Sequence, residues 1–167
     1  MVIIANIADY NVHCIFIDNE NSVDILYFAA FTAMGLIPKQ LNKFNILIQG
    51  FSESSVISEG TIRLPLTVGT RPKQVTIHVD FLVLNLPSAY NVILGRPSLG
   101  TLKAVVSSYH LIMKFSMEAR VGQVRGNQAV PRQCFAAKLQ AEEQLAVPQL
   151  ELPIDLDARD DLAGEHA

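Results

Sequence analysis

CIFIDNENSVDIL, residues 14–26, sets an apolar run against five consecutive polar residues, Asp18, Asn19, Glu20, Asn21 and Ser22, and then returns at once to apolar side chains. Working outward on the N-terminal side, residues 2–8 and 12–17 are short β-branched runs parted by "DYN". That pattern predicts a hairpin that delivers Asp18 at a strand end. On the C-terminal side, "SVDILYFAAFTAMG" repeats Ile25, Phe28, Ala29 and Thr32 at helical spacing. Ser22 is placed to cap such a helix and Gly35 to stop it. The carboxylate therefore belongs to a strand-to-helix loop, with Asp24 as an acid of the helix's first turn and Asp9 as a turn residue.

The remaining pattern is mainly β. "FNILIQG", "VISEGTIRLPLTVG" and "KQVTIHVDFLVL" read as strands, the last with Val75, Ile77, Val79 and Phe81 on one face and Asp80 on the other, solvated or paired. "GFSESS" makes a polar, glycine-led tip between the first two. "AYNVILGRPSLGTL" reads as a buried strand ending at Gly95, a proline in a helix's first turn and a short helix. "KAVVSSYHLIMKF" supplies two closing strands, with Tyr90 and Tyr109 as core-edge aromatics. Two short helices are too few for βαβ winding, so a small closed barrel is the economical fold.

Charge divides the chain. Residues 1–135 carry +3 and residues 136–167 carry −6, together the −3 of the whole. The acidic stretch, without aromatics and with Pro148 and Pro153, has the composition of a linker and largely disordered tail. The boundary is drawn with the folded domain at residues 1–120 and linker plus tail at 121–167. The weakly basic main region lacks Lys/Arg clusters interleaved with aromatics, which argues against nucleic acid. No apolar run approaches the roughly 18 residues of a membrane span, and the first residues lack a secretory pattern. Cys14 and Cys134, far apart and without a CxxC partner, read as buried or idle thiols in a reducing compartment. His13, His78 and His110 lack metal-ligand spacing, and "GRPSLG" is no phosphate loop, so neither metal nor cofactor is expected.

Six motifs in order then carry a resemblance: "IDNENSVDIL" (17–26), "GFS" (50–52), "EGTIRLPLTVG" (59–69), "VDFLVL" (79–84), "SAYNVILGRPSLG" (88–100) and "AVVSSYHLIMKF" (104–115). Together they resemble the retropepsin-like aspartic protease domain of plant gypsy-type retrotransposon polyproteins, over roughly residues 1–135. The resemblance implies a retropepsin barrel and a peptidase in which Asp18 is the catalytic aspartate, meeting its own copy in a homodimer. The active-site loop would be Asn19, Glu20, Asn21 and Ser22, with Ser22 bonding the carboxylate or nearby backbone. Gly50, Phe51, Ser52, Glu53, Ser54 and Ser55 would form a flap over a peptide or polyprotein substrate. Ile93, Leu94, Gly95 and Arg96 would support the loop from beneath, the glycine allowing close approach. The chain would be a polyprotein fragment acting inside the cell, in the cytoplasm or a retrotransposon particle.

One departure bears on activity. The family pattern has glycine where this chain has Glu20, and serine where it has Asn21. Glycine tolerates backbone angles that strain other residues by on the order of 1–3 kcal/mol, and a second carboxylate beside Asp18 opposes a pair that must share a proton. Residue 20 thus separates an active endopeptidase from a silent one. A third reading is a peptide-binding or dimerisation module that cuts nothing.

Overall fold

The computed structural model describes residues 1–43, 47–48, 56–126, 129, 131–136 and 150–151. The chain opens with the expected hairpin, β1 (Val2–Ile7) and β2 (Tyr10–Ile17). Ile7 pairs with Tyr10 across a two-residue turn in which Ala8 and Asp9 both take positive φ. Two such residues in succession match the twist of the flanking strands. The register shifts between Ile3 and Ala5, whose partners are Ile15 and Val12. His13 and Cys14 therefore face a single residue of β1, and Cys14 takes a φ of 55°. This is a β-bulge, a device that re-aims a side chain.

The segment after the polar loop departs from the helix expected over residues 22–35. Asp24–Tyr27 is a strand, β3, and only Phe28–Ala33 forms the helix α1, with Tyr27 rather than Ser22 at its N-cap. The cause is tertiary: β3 lies between two partners, parallel to β7 (Lys73–Leu84) and antiparallel to β8 (Val92–Leu94). Pairing on both edges overrides a helical spacing that begins to hold only at Phe28. A single 3-10 turn, Pro38–Gln40, follows. The short strands β4 (Leu47–Ile48) and β5 (Val56–Ile57) then pair as the base of a hairpin. The flap residues 50–55 lie outside the described residues.

β6 (Gly60–Thr70) and β7 form the longest ladder, eleven paired positions from Gly60↔Val83 to Thr70↔Lys73. Alternation sends Ile62, Leu64, Leu66 and Val68 inward from β6, and Val79, Phe81 and Val83 inward from β7. Asp80 is outward and exposed as expected, with Arg63 across the ladder at 4.0 Å. The strand order β1-β6-β7-β3-β8-β2 returns to β1 through the hairpin, so six strands close a barrel. The mainly β, closed fold expected from the pattern is the fold observed. Ile7, Leu26, Phe31, Leu66, Phe81 and Leu94 fill its core.

After β8 comes the short helix α2 (Arg96–Thr101), with Pro97 in its first turn. A separate sheet follows, β9 (Val105–Ser107), β10 (Ile112–Ser116) and β11 (Val121–Arg125), with β10 central. Met113 and Phe115 of β10 reach into the barrel core. The boundary drawn at residue 120 falls between β10 and β11, which pair along five positions. Two residues of the acidic tail, Leu150–Glu151 (β12), pair with Val12 and Asn11 of β2. Tyr109 is 90% exposed, not a core-edge residue, and its ring stands edge-on to His110.

Cys14 and Cys134 are buried, but they are not thiols: they form a disulfide, with Cα atoms 5.9 Å apart. The bulge at Cys14 and the helical residues 131–136 bring together two positions 120 residues apart. The ground for reading a reducing compartment from unpaired cysteines is thereby removed.

Candidate active site

Asp18 stands at the end of β2, half-buried, and the loop that follows it is fastened to residues 94–96 at each step. The Asp18 N–H donates to the Leu94 carbonyl at 2.9 Å, and the Arg96 N–H donates to the Asn21 carbonyl at 2.8 Å. Between them, the Gly95 N–H donates to Asp24 Oδ1 at 2.7 Å. The loop and its support are so close at this point that a Cβ on Gly95 would collide with the Val23 carbonyl and come within 2.6 Å of the Asn21 carbonyl. The support expected of Leu94, Gly95 and Arg96 is thus a set of backbone hydrogen bonds, and close approach is why glycine stands in the middle. Ile93 turns the other way. It packs with Ile25, Leu82 and Leu84 in a second apolar cluster, against Phe16, Val23 and Tyr27.

Within the loop, the Glu20 N–H donates to Asp18 Oδ1 at 3.0 Å and the Asn21 N–H to the Asp18 carbonyl at 3.3 Å. Asn21 Oδ1 accepts from the Val23 N–H at 3.4 Å. Asn19, Glu20 and Ser22 are exposed. The bond to the Asp18 carboxylate expected of Ser22 is made by the Glu20 amide instead. Among the described residues, positive φ at non-glycine positions falls at Ala8, Asp9, Cys14, Lys103 and Leu111, and not at Glu20. The backbone strain expected of a glutamate in the glycine position is therefore absent, and what remains of the departure is its charge and bulk.

Two residues of this region were passed over in the sequence reading. Asp24, read as an acid of a helix's first turn, instead opens β3 and is only 3% exposed. Burial pushes its carboxyl above the ordinary value. The Gly95 N–H and the neighbouring Ser98 pull the other way, and Asp80 adds a further upward push. Ser98 Oγ faces this carboxylate without closing a hydrogen bond of ordinary geometry. The second is Asn91, also buried, which ties three segments together: Nδ2 donates to the His13 carbonyl, its N–H to the Cys14 carbonyl, and its own carbonyl accepts from the Tyr27 N–H. An acid at the first paired position of a strand and an amide just before an apolar triplet were the available signals.

Among the described residues, no three His, Cys, Asp or Glu side chains cluster as a metal site would require. No helix among them is long and apolar enough to cross a membrane. The arrangement offers one half-buried carboxylate, in a loop tied by backbone hydrogen bonds to residues 94–96 and presented beside exposed polar residues.

The sequence matches no protein-family model, and no curated protein matches it significantly. Solved structures do match. The retroviral protease-like domain of Ddi1 from Leishmania major aligns with a TM-score of 0.52 at 15% identity, over 70% of this chain and 83% of that one. The EIAV protease, complexed with the inhibitor HBY-793, aligns at 0.43 and 23% identity, over 64% of this chain and 91% of that one. At 15% identity the Ddi1 likeness is one of fold: the chain has a retropepsin-like β-barrel.

Proposed function

We propose that this chain is an aspartic endopeptidase-like domain of a plant gypsy-type retrotransposon polyprotein, working inside the cell or within a retrotransposon particle. The observation that carries the reading is Asp18 at a strand end, its loop fastened to Leu94, Gly95 and Arg96 on a retropepsin-like barrel. One chain brings one such aspartate, and the reaction needs two carboxylates around one water. A homodimer about a two-fold axis supplies the second Asp18. Two carboxyls that close share a proton. One acts as base on the water while the other donates to the scissile carbonyl, and the peptide bond is hydrolysed without a covalent intermediate. Exposed Asn19 is placed to bridge the two loops, and residues 50–55 would close over the substrate.

A second reading, a catalytically silent peptide-binding or dimerisation module, is favoured by Glu20. Its carboxylate is exposed two residues from Asp18, so a dimer would carry four acids at its centre in place of two. Cleavage of a peptide library between pH 4 and 7 tests both. The unaltered chain should cut slowly or not at all. Glu20→Gly, which removes the extra charge and bulk, should raise cleavage at mildly acidic pH, and Asp18→Asn in that background should abolish it. Robust cutting by the unaltered chain refutes the role given to Glu20. Cutting that survives Asp18→Asn refutes the role given to Asp18, and silence in all three proteins selects the binding module.

A further inference from the structure

The two cysteines of the chain bond one another deep in the molecule, Cys14 being 4% exposed and Cys134 1%. They form a small cluster with Val2, against which Phe16, Ala89 and Tyr90 pack. The Tyr90 ring stacks on Phe16 at 5.0 Å and meets Phe135 edge-on at 6.1 Å. The helical residues 131–136 are therefore seated by the covalent bond, the packing of buried Cys134 and the edge-on contact of Phe135, while Arg132, Phe135 and Ala136 remain exposed. Further along, Leu150 and Glu151 pair with Val12 and Asn11. Both attachments fall on β2, the disulfide at the bulge itself and Leu150–Glu151 on the residues just before it. The barrel itself needs neither: all six strands of its ring lie at or before Leu94, and β9, β10 and β11 are complete by Arg125.

We propose that the Cys14–Cys134 disulfide is a redox clasp that holds the helical residues 131–136 against β2, and that its reduction frees them while leaving the barrel folded. The reductant is a dithiol. Its thiolate attacks one sulfur to give a mixed disulfide. Its second thiol then displaces the protein thiolate, so that two protein thiols and one oxidised dithiol result from the exchange of two electrons. Without the bond, residues 131–136 keep the edge-on contact of half-exposed Phe135 and the packing of the Cys134 side chain in its small cluster, and a single helical turn held by local packing alone opens more readily than one held covalently. The inference does not depend on the peptidase reading.

Pulse digestion of the full chain with trypsin tests it, comparing the oxidised protein with protein reduced by dithiothreitol and alkylated, and with Cys134→Ala. Fragments are reduced after quenching and identified by mass. Cleavage after Arg132 should accelerate at least roughly tenfold on reduction and in Cys134→Ala, as local opening replaces a covalent restraint. Cleavage after Arg63 and Lys114, within β6 and β10, should stay slow in all three. An unchanged rate after Arg132 overturns the proposal. So does equal acceleration at Arg63 and Lys114, or failure of both the reduced protein and Cys134→Ala to keep the barrel, because the bond would then hold the whole fold.

Discussion

Asp24 places a carboxylate inside the protein, where the Gly95 amide answers it at 2.7 Å and Ser98 assists. Burial is the larger influence and raises its carboxyl above the ordinary 3.8, so the folded state binds this proton more readily than the unfolded one. The stability Asp24 contributes is then fully present below about pH 3.8 and is lost as pH rises through the higher folded-state value. Asp24→Asn keeps an acceptor for Gly95 and removes the titration. Its stability relative to the parent chain, from urea unfolding at a series of pH values, should increase with pH across that window and then level. At Gly95 the constraint is steric. Gly95→Ala should cost roughly 2 kcal/mol or more, since backbone carbonyls of Asn21 and Val23 would have to move. A midpoint within experimental error of the parent's would show that the loop is not held as described. Gly95 was readable from the pattern as the end of a buried strand, and its close approach to the loop only through the resemblance. Asp24 was not, because an acid near a helix start and an acid at a strand start have the same local context.

At the level of elements, what was legible followed from periodicity. Alternation along Val75, Ile77, Val79 and Phe81 fixed the inward face of β7, and Pro97 marked the first turn of α2. Where pairing partners decided the outcome, periodicity misled: Asp24–Tyr27 is a strand because β7 and β8 flank it. The small sheet β9–β11 meets the barrel through Met113 and Phe115, and Phe115, 1% exposed, lies over Gly122. A methyl at Gly122 would fall on that ring. Gly122→Ala should therefore destabilise by about 1–3 kcal/mol through overpacking, measured by thermal or urea unfolding. Phe115→Leu in the same background should recover part of the loss, a coupling that a purely local backbone effect at Gly122 would not produce.

For the whole molecule, the proposed chemistry requires two copies. Sedimentation of the 18.4 kDa chain should show mass action toward twice that mass by about 100 μM. A strictly monomeric protein at that concentration would remove both the peptidase and the dimerisation module. The disulfide could not be read from sequence, since two cysteines 120 residues apart carry no information on whether the fold brings them together. The closed ring has a kinetic consequence as well. Its two parallel pairings, Ile15 with Val92 and Asp24 with Phe81, and its contact between Asn6 and Thr67 each join residues more than fifty positions apart. None can form until a long stretch of chain has been drawn together, and loop-closure entropy opposes each of them before any contact is gained. The hairpins β1–β2 and β6–β7 are local and can form early, whereas the Asp18 loop depends on β8 arriving beside β2. The loop should therefore be among the last parts to order, on the millisecond-to-second scale of topologies dominated by distant pairings.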